Sequence, residues 1–305
     1  MPCACAWITG AGTGAPLCSY DFQPKEEPRA VVVFLHGVGE HARRYDGFFR
    51  LLNSKKIHVV TYDCVGHGAS DGLPGYIHSF DDVVKDARGV LRRTRERFGG
   101  GVPVVLCGQS FGGLVAATVA AMEGAEGDGA LDGLVLTAAS VDVHWTPVLR
   151  AQAAVGAALA AAAPKARWVP AVRLEDMTSD AATLESYASD PYVQLGGVRC
   201  KTAYEILRGF RSLRNRYQSV RCPLLVLHGG DDACADKNAA RRLVSEALSS
   251  TKEYVEFAGM HHLILQEPGS DAVQARVVDF IENVARSNSR RRSMHSSSSS
   301  LRSRL

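Results

Sequence analysis

The chain has 305 residues, of which 46% are apolar and 22% are charged, an ordinary composition for a soluble globular protein. This length fits one large α/β domain, or a domain with an insertion, and excludes a fold too small to bury a core. No apolar run approaches the ~18–20 residues that a membrane-spanning helix needs, so we expect no such helix.

The net charge of +3 comes from the C-terminal end of the chain. Six arginines and no acidic residue lie from Arg286 onward, and the rest of the chain has 29 basic and 32 acidic residues. A slightly acidic body predicts no nucleic-acid surface on the fold. The eight cysteines are scattered, and the start MPCACAWITGAG lacks a secretory signal. Both features predict an intracellular protein that is not secreted.

Six runs rich in β-branched residues predict strands, and most of these runs are continuously apolar. Strands of this kind are buried on both faces, as in a parallel sheet. Helix-like stretches lie between them, so we predict an α/β fold with a doubly wound, mostly parallel sheet that binds ligands at the strands' carboxyl ends. The predicted strands are 30–37, 57–64, 102–108, 131–138, 222–229 and 252–259, and the predicted helices are 80–97, 111–122, 237–249 and 271–285.

The regular alternation breaks between about residues 141 and 218. Much of this stretch is Ala-rich and helix-prone, and Pro164 and Pro170 interrupt it. We interpret 141–218 as a helical cap inserted over the ligand end of the sheet, although ordinary sheet-covering helices fit the same pattern. The body with its cap then occupies 1–285, and the Ser/Arg-rich segment 286–305 is predicted to be disordered.

A single serine stands among glycines at the junction of a predicted strand and a predicted helix. The stretch Gly108-Gln109-Ser110-Phe111-Gly112 has the G-x-S-x-G pattern of a nucleophile elbow, a strained turn that exposes the serine hydroxyl. The glycines allow close backbone packing, and the helix N-terminus favours negative charge near the hydroxyl. We therefore predict that Ser110 is a catalytic nucleophile.

A serine hydroxyl becomes a good nucleophile only with a base and an orienting acid. The elbow fold predicts that the acid follows the serine and that the histidine follows the acid. Suitable side chains come directly after the last two predicted strands, at the same end of the sheet as Ser110, and the residue pattern leaves the choice among them open. The candidates are Asp231, Asp232 and Asp236 for the acid, and His261 and His262 for the base.

An oxyanion hole needs two N–H donors that are already in place before the reaction. One donor should be Phe111, which follows the nucleophile. The other should come from the loop after the first predicted strand, where Gly37 and Gly39 leave the backbone exposed around Val38. Ester hydrolysis by such a set of groups uses neither a metal nor an organic cofactor, and we predict none.

Four segments resemble the monoacylglycerol lipase and lysophospholipase branch of the α/β-hydrolases, and the resemblance covers roughly residues 28–285. The combination of H-G-x-G-E-H-x-x-R-Y with G-H-G-x-S-x-G is much more specific than the elbow alone. The segments are HGVGEHARRY (36–45), YDCVGHGASDG (62–72), GQSFGG (108–113) and LHGGDD to FAGMHH (227–262). The resemblance implies the α/β-hydrolase fold with Ser110 as nucleophile, Asp232 as acid, His262 as base, and Val38 and Phe111 as oxyanion donors.

The resemblance also implies residues that meet the substrate. Glu40 and Arg44 lie on the predicted oxyanion loop, where such residues hold the loop or contact the glycerol end. Tyr187 in the cap is a candidate for contacting the polar head. Gln109 departs from the His or Glu that relatives often carry, which should tune the elbow without abolishing it. Leu265 replaces a polar residue of some relatives, which leaves the head-group preference open.

The predicted reaction is hydrolysis of a lipid ester, first of all monoacylglycerol to fatty acid and glycerol. A lysophospholipid, a small soluble ester or an acyl transfer to an alcohol would use the same residues, and a binding protein without catalysis is the alternative from another class. We expect transient contact with a membrane surface through the cap or the basic tail.

The predicted location is cytoplasmic or peroxisomal. The tripeptide Ser303-Arg304-Leu305 resembles the S-K-L peroxisomal address, which an import receptor would bind. A Ser/Arg-rich tail that ends in Leu also produces this tripeptide by composition alone.

Overall fold

The computed structural model describes residues 4–126, 131–143 and 145–302. In this part of the chain, one sheet contains the strands β1 (Ala4–Thr9), β2 (Pro16–Phe22), β3 (Ala30–Leu35), β4 (Ile57–Tyr62), β5 (Val104–Gln109), β6 (Gly133–Thr137), β7 (Leu224–Gly229) and β8 (Lys252–Phe257). Their order is β1-β2-β4-β3-β5-β6-β7-β8. The pairs β1–β2 and β2–β4 are antiparallel, and all the other pairs are parallel.

Six of these strands, β3 to β8, lie where the sequence predicted them, and for β3 to β7 burial explains why. Every residue of the central strands β3 to β7 is buried. Within β3, Val31 and Val33 enter the apolar core on one face of the sheet, and Val32 and Phe34 enter the core on the other face. Helices cover both faces, which confirms the predicted doubly wound architecture.

The sequence analysis missed β1 and β2, which form the antiparallel edge of the sheet. Trp7 in β1 is 61% exposed, and residues of β2 alternate between buried and partly exposed positions from Cys18 onward. A strand with one solvated face has no continuous apolar run. The parallel-strand pattern therefore does not detect these two strands.

The helices divide between the two faces. Buried residues of α1 and α9 belong to one core, and those of α2, α3, α7 and α8 belong to the other. The predicted helices 80–97, 111–122 and 237–249 are confirmed as α2, α3 and α8. The described helices are α1 (Asp46–Ser54), α2 (Phe80–Phe98), α3 (Phe111–Glu126), α4 (Pro147–Ala162), α5 (Leu174–Met177), α6 (Ala181–Ala188), α7 (Cys200–Arg214), α8 (Lys237–Glu246) and α9 (Ser270–Arg302).

The segment between β6 and β7 contains α4 to α7, and these helices do not all have the same role. Helix α7 packs on the body, because a Cβ at Gly209 would lie 2.9 Å from the ring of Phe80 and 3.0 Å from Leu114. Glu205 of α7 also accepts a hydrogen bond from the Phe80 N–H at 3.0 Å. The predicted insertion 141–218 thus includes a helix of the sheet-covering layer, as the alternative interpretation held. It also includes the segment 167–199, which lines the cavity that contains Ser110 and which we call the cover.

The last helix extends past its predicted end. The sequence predicted a disordered tail over 286–305, whereas α9 continues through this segment to Arg302. No proline or glycine lies between Ser270 and Arg302, so no residue there stops helical hydrogen bonding from propagating. Ser303-Arg304-Leu305 lies outside the described residues. Among the described helices, none combines the length and the apolar character needed to cross a membrane.

Candidate active site

Ser110 lies at the turn between β5 and α3 and has a backbone φ of 53°. This left-handed conformation is strained for a residue with a Cβ. A Cβ at Gly108 would lie 2.3 Å from the carbonyl oxygen of Gly112, and a Cβ at Gly112 would lie 2.1 Å from that of Leu35. Only glycine fits at both positions, which explains the spacing G-x-S-x-G and gives the serine the elbow conformation.

A continuous chain of hydrogen bonds runs from the serine to a buried carboxylate. His262 Nε2 lies 2.9 Å from Ser110 Oγ, and His262 Nδ1 lies 2.9 Å from Asp232 Oδ2. The second carboxylate oxygen, Oδ1, accepts from the N–H groups of Cys234 at 2.7 Å and Ala235 at 3.0 Å. The structure therefore brings together the acid and base that the resemblance implied.

The neighbouring candidates lie elsewhere. The Asp231 residue is exposed, and the Asp236 carboxylate caps α8 by accepting from the Asn238 N–H at 2.9 Å. The N–H of His261 donates to Glu267 Oε1 at 2.7 Å, and the His261 imidazole lies 3.7 Å from the same carboxylate. Of the candidates that the residue pattern left open, Asp232 and His262 are the two that lie within hydrogen-bond distance of each other, and His262 also lies within hydrogen-bond distance of Ser110.

The charges of the acid and base support each other. Burial would raise the pKa of Asp232, but the adjacent His262 imidazole, His228 and the Cys234 N–H together outweigh burial and hold the pKa of this carboxyl below its usual value. Burial would lower the pKa of His262, but the Asp232 carboxylate, with smaller contributions from Glu40 and Glu267, outweighs burial and raises the pKa of this imidazole. Both shifts favour the ion pair that forms when His262 accepts a proton.

The predicted oxyanion loop lies against the nucleophile. A Cβ at Gly37 would approach the Cβ of Ser110 to 3.2 Å, and Val38 lines the same cavity as Ser110 and His262. Phe111 is the first residue of α3, where a backbone N–H has no partner within the helix. Both predicted donors therefore belong to residues that lie next to the serine.

Glu40 is buried behind this loop and does not line the cavity. Its Oε1 accepts from the Gly37 N–H and the Tyr45 hydroxyl, each at 2.6 Å. Its Oε2 accepts from the Tyr187 hydroxyl of α6. Three donors thus hold the carboxylate, which fixes the loop to the body and to the cover.

Arg44 has a related position. Its Nη1 donates to Ser186 O at 2.9 Å and to Asp190 Oδ2 at 3.2 Å, and its guanidinium carbon lies 4.1 Å from the ring centroid of Tyr187. Arg44 lines a separate depression, whereas Tyr187 lines the cavity of Ser110. Of the three residues predicted to meet the substrate, the structure places only Tyr187 in that cavity.

Two residues that sequence reasoning did not assign hold the histidine loop. The Gln109 side-chain Nε2 donates to His262 O at 3.0 Å. Met177 O accepts from the N–H groups of His262 at 2.9 Å and Leu263 at 3.1 Å. Gln109 was identified as a departure from the family pattern, which was the available signal, but no local pattern pointed to Met177.

The cavity above Ser110 has a volume of about 480 Å³. Its lower part is formed by body residues, among them Val38, Ser110 and His262. The rest of the lining comes from the cover, at residues 167, 170–175, 177, 187 and 193–199. Many of these residues are apolar, so the cavity suits a substrate with a hydrocarbon part.

One group of potential metal ligands lies at this site within the described residues: Asp232, Cys234 and His262, whose ligand atoms lie within 4.8 Å of one another. The Cys234 thiol donates to Asp176 O at 3.2 Å, and burial raises its pKa. His262 Nδ1 already bonds the carboxylate. The group therefore serves the hydrogen-bond chain better than it would serve a cation.

Several known proteins are similar to this chain. A monoacylglycerol lipase of Mycolicibacterium smegmatis is 28% identical over 282 residues, which cover 89% of this chain and 95% of the relative. Phospholipase YtpA of Bacillus subtilis is 27% identical over 250 residues, covering 81% and 93%. The crystal structure of Paleococcus ferrophilus monoacylglycerol lipase has a TM-score of 0.76 at 24% identity, covering 88% of this chain and 99% of that one.

The human monoglyceride lipase is also similar, with 26% identity over 250 residues that cover 82% of this chain and 80% of the relative. A family model described as Hydrolase_4, serine aminopeptidase S33, matches residues 26–269. This match spans the sheet, the cover and all three residues of the hydrogen-bond chain, and the chain therefore belongs to this family of α/β-hydrolases.

Proposed function

We propose that this protein hydrolyses the ester bond of monoacylglycerols, with Ser110 as nucleophile, His262 as general base and acid, and Asp232 as the group that orients His262. The observation that carries the proposal is the Ser110–His262–Asp232 hydrogen-bond chain at the bottom of a largely apolar cavity. The names of several relatives, which are monoacylglycerol or monoglyceride lipases, support the same substrate class.

In the first half of the reaction, Ser110 Oγ forms a bond to the ester carbonyl carbon while its proton moves to His262 Nε2. Asp232 stabilises the resulting imidazolium through Nδ1. The N–H groups of Val38 and Phe111 donate to the oxyanion. When the intermediate collapses, the bond from carbon to the glycerol oxygen breaks, and His262 returns its proton to that oxygen.

In the second half, a water molecule attacks the acyl-enzyme. His262 takes one proton from the water as its oxygen bonds to the carbonyl carbon. Collapse of this intermediate breaks the bond to Ser110 Oγ, which recovers its proton from His262. The products are a fatty acid and the free enzyme, so atoms and protons balance over the cycle.

The cavity lining favours an acyl ester over a peptide with a free amino terminus, although the family description names aminopeptidases. A carboxylate forms the strongest hydrogen bonds to an ammonium group. Among the described lining residues the acidic one is Glu175, and it lies 3.5 Å from Arg173. Burial of a hydrocarbon chain, in contrast, contributes about 25 cal/mol per Å².

We also infer transient contact between the cover and a membrane surface. Trp168, Val172 and Tyr192 are exposed on the cover by 67%, 51% and 50%. Such residues partition into a lipid interface. Co-sedimentation with neutral liposomes should decrease in Trp168→Ala, and unchanged co-sedimentation would contradict this inference.

The experiment that tests the function is fatty-acid release by the purified protein from monoacylglycerol, lysophosphatidylcholine, diacylglycerol, a short p-nitrophenyl ester and a peptide p-nitroanilide. Ser110→Ala should abolish turnover, and Asp232→Asn should lower kcat by about 10⁴. Asp231→Asn is the matched control, because it makes the same chemical change at the adjacent exposed position, and it should stay active.

Turnover of monoacylglycerol that is lost in Ser110→Ala supports the proposal. Activity on the short ester alone would retain the mechanism and reject the lipid substrate. If added glycerol or another alcohol captures the acyl group faster than water does, the reaction is acyl transfer. A folded protein that cleaves none of these compounds would favour a binding protein.

A further inference from the structure

Two arginines lie side by side at the solvent-facing rim of the cavity that contains Ser110. Arg167 is exposed and Arg199 is half-buried, and both line the cavity. Both guanidinium groups donate to the same oxygen, Pro74 O, Arg167 Nη2 at 3.2 Å and Arg199 Nε at 2.7 Å. This shared acceptor holds two positive charges next to each other.

The remaining hydrogen bonds of this arginine pair, Arg167 and Arg199, go to neutral groups. Arg167 donates to Gln194 Oε1 at 2.8 Å and to Leu195 O at 3.4 Å, and Arg199 donates to Lys165 O at 2.5 Å. Among the described residues, no carboxylate makes an ion pair with either guanidinium. Partial burial, and then the charge of Arg167, lower the pKa of Arg199. A bound anion would relieve this repulsion.

The other charged residues of the cavity lining show the contrast. Arg173 also lines the cavity, but its Nε lies 3.5 Å from Glu175 Oε2 and 3.9 Å from Asp176 Oδ2. Glu175, the acidic residue among the described lining residues, is thus paired with Arg173. No carboxylate of the described lining neutralises the charge of Arg167 and Arg199. A neutral monoacylglycerol has no group that would use this charge.

Apolar side chains accompany the arginine pair at the rim. Val172 lines the cavity and is 51% exposed, and Leu195, which also lines it and whose carbonyl oxygen accepts from Arg167, is 45% exposed. A site that combines two guanidinium groups with exposed apolar side chains matches an amphiphile with one anionic group. Guanidinium is well suited to this task, because its planar fork binds phosphate and carboxylate with two parallel hydrogen bonds.

We propose that Arg167 and Arg199 bind a phosphate or carboxylate group of the ester substrate, so that the enzyme prefers anionic lipid esters, such as a lysophospholipid with an anionic head group, to neutral ones. The proposal rests on the proposed function, since it assigns a substrate class to the same cavity. It goes beyond that function by assigning the preference for anionic over neutral esters to Arg167 and Arg199, which do not take part in the catalytic steps.

The test compares 1-oleoyl lysophosphatidic acid with monooleoylglycerol in neutral detergent micelles at low salt. The measured quantity is the ratio of the two kcat/KM values. Arg167→Gln combined with Arg199→Gln should lower this ratio by about threefold to tenfold, the range for two partly exposed ion pairs. The corresponding double Lys variant should retain part of the preference, and salt should reduce the preference of the wild type.

The matched control is Arg150→Gln combined with Arg211→Gln, which removes two charges from α4 and α7 at exposed positions outside the cavity lining. The control should leave the ratio unchanged. An equal fall in both variants would attribute the effect to net charge and overturn the proposal. An unchanged ratio in the Arg167/Arg199 variant would overturn it as well.

Binding of dodecyl phosphate to Ser110→Ala, measured by calorimetry, separates this proposal from the proposed function. We expect Ser110→Ala to bind dodecyl phosphate, and to bind inorganic phosphate more weakly than dodecyl phosphate. Replacement of Arg167 and Arg199 by Gln should weaken the binding of dodecyl phosphate. If no ester is hydrolysed but this pattern holds, the anion site stands and the hydrolase proposal fails. Undiminished binding in the Gln variant overturns the anion site.

A third measurement identifies the source of the anion. Turnover of monooleoylglycerol is compared in vesicles of neutral lipid and in vesicles that contain anionic lipid. An arginine dependence confined to anionic vesicles, with micellar lysophosphatidic acid unaffected, would assign the pair to the phosphates of a bilayer and overturn the substrate proposal.

Discussion

Replacement of Glu40 should slow catalysis without weakening substrate binding, because this carboxylate holds the loop that carries Val38. Glu40→Gln is isosteric and removes the charge. In the wild type, the Glu40 carboxylate accepts hydrogen bonds from the Gly37 N–H and the Tyr45 hydroxyl, each at 2.6 Å, and from the Tyr187 hydroxyl. Hydrogen bonds to a charged group contribute about 1.5–3 kcal/mol and neutral ones about 0.5–1.5 kcal/mol, so each bond weakens by about 1 kcal/mol.

The three weakened hydrogen bonds together stabilise the position of the loop, which carries one oxyanion donor, by about 3 kcal/mol less than in the wild type. Loss of a whole donor costs about 10²–10³ in kcat, and a loosened donor should cost less, about 10-fold to 100-fold. Initial rates of fatty-acid release over a range of monoacylglycerol concentrations separate kcat from KM. We expect kcat to fall and KM to stay nearly constant. A higher KM with unchanged kcat would refute this reasoning, because it would place Glu40 in contact with the substrate.

The control for this prediction is Glu123→Gln. Glu123 is also a buried carboxylate, but it lies near the other end of α3 and pairs with Arg88 and Arg95 at 3.1 Å and 2.8 Å. Its replacement should lower the melting temperature and leave kcat unchanged. Equal losses of kcat in both variants would indicate a general effect of removing a buried charge.

Three further outcomes are expected. Asp232→Asn should lower kcat by about 10⁴, whereas Asp231→Asn should not, as steady-state kinetics will measure. The Asp232 carboxylate raises the pKa of His262, so kcat/KM of the wild type should fall as pH drops through this raised pKa. In Asp232→Asn the pKa of His262 should be lower, so the same fall in the residual activity should occur at a lower pH than in the wild type. Identical pH profiles would contradict the assignment. Gly112→Ala should lower both the activity and the melting temperature, because the added Cβ would clash with the carbonyl oxygen of Leu35 in β3, 2.1 Å away. Gly156→Ala, 3.9 Å from its nearest neighbour, should gain about 0.5–1 kcal/mol of stability; equal melting temperatures for the two variants would contradict this account.

Local patterns in the sequence predicted the features that depend on local physics. A strand buried on both faces must be apolar throughout, so β3 to β7 were visible as continuous runs. In the elbow, neighbouring backbone leaves no room for a Cβ on either side of the serine, so both positions require glycine. The spacing of Gly108 and Gly112 therefore pointed to Ser110. The order of acid and histidine after the serine followed from the same fold.

Adjacent residues at strand ends set the limit of this reasoning. Asp231 and Asp232 have the same chemistry and follow the same strand, so the residue pattern did not separate them. In the structure, the turn after β7 points the Asp232 carboxylate at His262 Nδ1, 2.9 Å away, and leaves Asp231 exposed. Side-chain direction depends on the backbone path of the turn, which composition does not specify.

The sequence by itself determined the parallel strands of the sheet, the elbow and the types of residue at the site. Tertiary structure alone decided the contacts between distant segments, such as Tyr187 with Glu40, 147 positions apart. It also decided the convergence of Arg167 and Arg199 on Pro74 O. The physical reason is that local patterns report whether a residue is buried or exposed, whereas the partner of a buried polar group depends on how whole segments pack.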